Sequence, residues 1–264
     1  MVVVPEEIRH EMRGKKQATL HHPKLRLVYE DDNLIVVEKQ RGLLTVPVNQ
    51  FSKEMTAIAI LRAYVRRQHP RNNIFVVHRL DRETSGLLVF ARTQALQEYM
   101  RTYWRQLVTQ RTYVAVAEGI MPKEEGTITT WLTEDKRNAV VYSSPVDDGG
   151  DIAITHYKVL KTNQILNLKS QISNMQFSLV ELHLDTGRTN QIRVHLASVG
   201  CPVLGDRKYG HGNYELPNSN QKSHIAIPDR LCLHARVLEF INPVTEQTLH
   251  FETPIPREFL RMFH

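Results

Sequence analysis

The period of apolar and polar positions changes several times along the chain, and the changes mark out its elements. Residues 25–30 and 34–38 are short alternating or apolar runs around Asp31, Asp32 and Asn33, a triplet of turn formers, which predicts a β-hairpin. Residues 39–47 read as the loop that leaves it, with Gly42 as the bend. Over 56–68 the period becomes helical, with apolar residues at 57, 58, 60, 61, 64 and 65 and Arg62, Arg66 and Arg67 on the other side. Two apolar runs of strand length follow, 74–77 and 87–91. Thr93 then suits the N-cap of a helix whose buried face is Leu96, Tyr99, Met100, Tyr103, Trp104 and Leu107. Strand-like alternation returns over 111–119, in three runs between 127 and 161 with a corner at 147–150, and over 177–184 after an exposed hairpin tip at 162–176. A helix over 190–199, closing strands at 231–241 and 247–252, and a short helix over 254–264 complete the pattern. Residues 1–24 lack regular apolar spacing and read as a tail or short helix packed on the outside.

Between the strands at 74–77 and 87–91 the vocabulary changes abruptly. His78, Arg79, Asp81, Arg82, Glu83, Thr84 and Ser85 fill the connection, closed by Gly86, which permits a sharp turn or a close approach. Polar loops held by rigid strands are where function concentrates. Asp81 stands between two arginines that favour its ionised form, so it is a candidate nucleophile or base. A surface cluster of Arg–Asp–Arg ion pairs is the other reading of the same residues. A second dense cluster spans 184–210, where Gly187 and Arg188 make a turn and Arg193 and His195 are interleaved with apolar helix positions. An arginine so placed needs a carboxylate, and Asp81 is a candidate for it.

Composition changes the picture mainly through the location of charge. The chain of 264 residues carries a net +6, and residues 62–111 hold ten arginines, no lysine and three acids, so this segment alone holds +7. Guanidinium forks match phosphate geometry, which points to nucleic acid as the partner. Arginines on solvated helix faces are the plainer alternative. No run approaches the length of a membrane span and the start is unlike a signal peptide, so a cytoplasmic protein without a membrane partner is expected. Cys201 and Cys232 sit among apolar neighbours and read as structural thiols. His21 with His22 is weak evidence for a metal, and no paired-histidine motif supports a metallohydrolase, so no metal site is expected.

The clusters in their order resemble the RluA-type RNA pseudouridine synthases. The resemblance rests on HRLDRETSG at 78–86, RTYVAV at 111–116, TGRTNQIRVHL at 186–196 with the following GDRKYG, and LHA at 233–235, and covers about residues 25–260. It implies an α+β catalytic domain over 25–264 on a central, mainly antiparallel mixed sheet with flanking helices and loops. It also implies an isomerase that converts uridine to pseudouridine in RNA, ribosomal RNA first and transfer RNA second, acting as a monomer without cofactor. By the same resemblance Asp81 is catalytic, Tyr113 stacks on the target base, and Arg193 pairs with the aspartate. Arg79, Arg82, Arg188 and Leu233 fall among its substrate-binding positions, with Arg79 matching an arginine that fills the space of a flipped nucleotide. Gln40 and Asn190 depart from the family's usual proline and histidine. With 24 residues before the first predicted strand, the N-terminal S4 domain of many relatives is not expected. A catalytically silent RNA-binding protein of the same fold is the alternative.

Overall fold

The computed structural model describes residues 19–165, 175–210 and 228–263, and the readings made for 1–18, 166–174 and 211–227 lie outside the described residues. The chain forms two compact units, the first from residues up to 111 together with 235–253, the second from 112–234 together with residues from 254 onward.

The first unit is built on two strands that are apolar on both faces. β1 (Leu25–Glu30) and β2 (Leu34–Lys39) form the expected hairpin, closed by Asp31, whose carboxylate accepts from the Asn33 and Leu34 amides at 2.7 and 2.6 Å. β2 pairs antiparallel with β4 (Ser85–Ala91), and β3, reduced to Phe75–Val76, pairs with the far end of β4. Leu34, Val36, Leu87, Val89 and Ala91 pack on Leu96, Tyr99 and Met100 of helix α2 (Gln94–Thr102), while Ile35, Val37, Leu88 and Phe90 on the opposite face are equally buried. That two-sided burial is why these runs show no alternation. Helix α1 (Ala57–Gln68) buries Ile60, Leu61, Tyr64 and Val65 as expected and is capped by Thr56. The helix predicted through Leu107 breaks at Tyr103, and its last turn is a separate piece, α3 (Trp104–Leu107). The strand predicted from Arg111 starts earlier, as β5 (Val108–Glu118).

In the second unit β5 is followed by β6 (Glu125–Asp135), β7 (Val140–Ser144), β8 (Asp151–Ile165) and β9 (Met175–Leu184), in the order β5-β9-β8-β6-β7 with antiparallel ladders throughout. The β8–β9 hairpin is longer than its sequence suggests, with pairing as far as Ile165 and Met175. Helix α4 (Gln191–Ser198) lies on this sheet through Val194, which packs with Leu132, Val141 and Ala153. β10 (Leu233–Ile241) and β11 (Thr248–Glu252), which from residue 235 onward belong to the first unit, are the expected closing pair, and in the second unit α5 (Arg257–Leu260) with a 3-10 turn ends the described chain. Cys201 and Cys232 are buried free thiols. Among the described residues no helix is long and apolar enough to cross a membrane, and no cluster of candidate metal ligands occurs.

Candidate active site

In the first unit the connection between β3 and β4 carries Asp81, half-buried, with Arg79, Arg82 and Glu83 exposed around it. Its neighbours on both sides are pinned. The Thr45 hydroxyl donates to the Leu80 carbonyl at 2.9 Å and lies 3.2 Å from the Leu80 amide as its acceptor. The Arg82 carbonyl accepts from the Gly42 amide at 2.8 Å and from Lys39 Nζ at 3.0 Å. Lys39 is fully buried, and the same ammonium also donates to the carbonyls of Leu43 at 2.9 Å and Gln40 at 3.2 Å. A buried cation ringed by backbone carbonyls fixes the peptides on which it sits. Asp81 is thereby presented from a backbone with little freedom to relax.

Two further contacts set the loop's ends. His78 accepts from the Val89 amide at 3.3 Å and lies against Trp104, with ring centroids 4.8 Å apart. Burial, helped by the charge of Arg111, pushes the His78 pKa down to about 3, so the ring is neutral at ordinary pH. Gly86 has φ of 120°, and a β-carbon there would fall 2.1 Å from the Ala235 carbonyl oxygen, so only glycine fits. On the exposed side Arg82 is ion-paired with Glu54 at 2.5 Å.

The second unit holds the other expected residues. Tyr113 sits on β5 opposite Leu182, its side chain almost wholly buried, and Leu233 is buried at the start of β10. Arg193 on α4 makes a two-pronged bond to Asp206, with both N–O distances 2.7 Å, and donates to Asn190 Oδ1 at 2.9 Å. The Tyr209 ring lies under its guanidinium at 5.1 Å. Burial alone would raise the Asp206 carboxyl, but the Arg193 bonds and charge, with the amides of Lys208 and Tyr209, outweigh it and hold the pKa below the usual carboxylate range. The carboxylate that Arg193 requires therefore includes Asp206, a residue that its sequence neighbourhood does not single out although it stands between Gly205 and Gly210. Asn190 keeps a polar contact on Arg193 and donates to the Tyr209 hydroxyl at 3.2 Å. Arg188 bonds the Ile152 carbonyl at 3.3 Å and pairs with Asp151 at 3.2 Å on the surface.

Helix α4 is itself anchored by a polar contact that the sequence did not reveal. His195 is fully buried with its two ring nitrogens 3.0 Å from the Thr130 hydroxyl and 2.8 Å from that of Thr155. Burial lowers its pKa to about 4, which leaves it neutral. Gln191 adds bonds to Thr155 at 3.0 Å and to the Ile154 carbonyl at 2.9 Å, fixing the helix that carries Arg193. Lys39 was the more legible omission, since extending the Ile35–Val37 alternation by one step places it on an inward face.

The chain is thus an α+β protein whose first unit carries a half-buried aspartate on a pinned loop between strands, and whose second unit carries a buried strand tyrosine and a helix arginine. The chain belongs to the RNA pseudouridylate synthase family, whose sequence profile matches residues 33–198. Enzymes so named are isomerases that act on RNA. The uncharacterized RNA pseudouridine synthase YhcT of Bacillus subtilis is 32% identical over 234 residues, which cover 89% of this chain and 70% of that protein. Ribosomal large subunit pseudouridine synthase D of Neisseria meningitidis serogroup A is 34% identical over 261 residues, or 97% of this chain and 66% of the relative. The chain thus spans about two thirds of the length of these curated relatives. The solved structure of human RNA Pseudouridylate Synthase Domain Containing 4 matches with a TM-score of 0.66 at 25% identity, covering 90% of this chain and 92% of that one.

Proposed function

We propose that this chain isomerises uridine to pseudouridine within a structured RNA, with Asp81 as the catalytic carboxylate. The observation that carries the reading is the pinning of Leu80 and Arg82 around Asp81 by Thr45, Gly42 and the buried Lys39. Such restraint holds a reacting group in position before substrate arrives. In the reaction the bond from ribose C1′ to N1 breaks, the uracil turns, a new bond forms from C1′ to C5, the C5 proton leaves and N1 gains one. Atoms balance and nothing is oxidised or reduced. Asp81 acts as nucleophile or as base at the ribose, Tyr113 supports the base and takes part in removing the C5 proton, and Arg193 compensates the aspartate's charge. The target must be turned out of its stack, and Arg79 fills the space it leaves. Arg82, Arg188 and Leu233 complete the substrate contacts. Ribosomal RNA is the first substrate proposed, in line with the name of the Neisseria relative, and transfer RNA the second. A monomer in the cytoplasm, with no cofactor, suits this reaction.

Mapping pseudouridine in total RNA from cells with and without the gene tests the reading, with Asp81→Asn as control. The variant should bind RNA as tightly as the native protein and leave the site as uridine. Conversion by Asp81→Asn at the native rate would remove Asp81 from the chemistry, and identical maps with and without the gene would remove the activity.

A further inference from the structure

Among the described residues of the first unit, the exposed large apolar side chains are grouped. Phe51 is 79% exposed, Val48 70% and Met55 60%, all within residues 48–55. Three exposed apolar groups within eight residues make this loop a candidate contact surface. The loop that carries them is closed at its base, where Leu44 and Thr56 form a parallel bridge and the Ala57 and Ile58 amides donate to the carbonyls of Leu44 and Thr45 at 2.8 and 3.2 Å. At its tip the Phe51 amide donates to the Asn49 side chain at 3.0 Å. Phe51 therefore stands out on a braced loop.

The brace is shared with the aspartate loop. Thr45, at the base, is the residue that pins Leu80, and Glu54, near the tip, is paired with Arg82 at 2.5 Å. The apolar cluster is tied to both neighbours of Asp81. Charge then selects what covers it. Between Glu54 and Asp81 the sequence has five arginines and no acid, and the charge of Glu54 is matched by Arg82. A partner with flat apolar faces on an anionic backbone fits both features, and that is an unpaired nucleic-acid strand.

We propose that Phe51, flanked by Val48 and Met55, is a stacking platform for an unpaired base of the RNA substrate beside the target nucleotide. The proposal rests on the reading that this chain isomerises uridine in RNA. The chemistry needed from the loop is a flat π-face, so the choice of replacement separates stacking from greasy contact.

The test measures binding of a fluorescein-labelled single-stranded oligouridine RNA by anisotropy across a salt series, alongside pseudouridine formation by the native protein in total RNA from cells lacking the gene. Phe51→Ala should weaken binding about ten-fold with an unchanged salt slope, the effect expected when one base can no longer stack. Phe51→Leu should weaken it nearly as much, while Phe51→Trp should bind at least as tightly as the native protein and show tryptophan quenching by RNA. Native-like binding by Phe51→Ala, or by Phe51→Leu, from a preparation that forms pseudouridine overturns the platform and leaves the enzyme reading standing. So does a change in sedimentation of free Phe51→Ala from dimer to monomer with RNA binding intact, which would assign the patch to a second copy of the chain. A native protein that forms no pseudouridine in that RNA defeats the enzyme reading itself.

Discussion

At the scale of single residues, Lys39 shows how a buried charge is made to serve a loop. An ammonium removed from water is tolerated only where acceptors replace its hydration, and here the carbonyls of Gln40, Leu43 and Arg82 do so. Lys39→Met keeps most of the stem but leaves the Leu43 and Arg82 carbonyls without that donor, and Arg82 retains only the Gly42 amide among the bonds described. Unfolding free energy should fall by about 2 to 4 kcal/mol, as expected for a broken buried polar cluster. Pseudouridine formation should fall further than the loss of folded protein explains, because the peptide after Asp81 is released. Denaturant titration and turnover per folded molecule check the two parts, and unchanged turnover per folded molecule would show that the loop holds its shape without the ammonium.

At the scale of elements, α1 joins the core to the basic surface. Its stripe of Ile60, Leu61, Tyr64 and Val65 is buried, Thr56 caps it by accepting from the Ala59 amide at 3.2 Å, and Arg66 and Arg67 in the last turn suit the negative end of the helix. Their side chains, with Arg71 beyond, are exposed as the helical spacing predicts. The count of ten arginines overstates the surface, however. Arg92 is buried in a pair with Glu30 that also draws in Gln68 and the Asp31 carbonyl, so it is structural. Replacing Arg66, Arg67 and Arg71 together with glutamine should weaken RNA binding at every sequence. The slope of log affinity against log salt should fall by about 2, since each phosphate of a single strand that is no longer neutralised removes about 0.7. Filter binding across a salt series checks this, and an unchanged slope would place RNA elsewhere.

At the scale of the whole molecule, what could be read from the sequence was what repeats locally. The doubly buried β2 and β4, the striped helix α1 and the hairpin at Asp31 declare themselves by period and turn chemistry. The break at Tyr103 and the shrinkage of β3 do not, because tertiary packing decides them. The same holds at the site: the Asp81 loop was legible as polar residues between apolar runs, whereas Asp206 under Arg193 and the hydroxyls around His195 depend on partners distant in sequence. Those hidden partners have a consequence for pH. His78 in the first unit and His195 in the second have pKa values lowered to about 3 and about 4, against about 6.5 when unfolded. Between pH 6.5 and 4 the unfolded chain therefore binds more protons at these rings than the folded chain, and stability falls as acid is added. The loss approaches about 1.4 kcal/mol per pH unit for each histidine. Asp206 adds its own loss only at lower pH, since its carboxylate stays ionised when folded to below the usual range. His195→Gln can meet both threonines without titrating, so it should lower stability at pH 7 yet flatten the slope between pH 6.5 and 4.5 by about the contribution of one histidine. Urea titrations of the native and variant proteins through that window decide it, and parallel slopes would mean that His195 takes up its proton without leaving the fold.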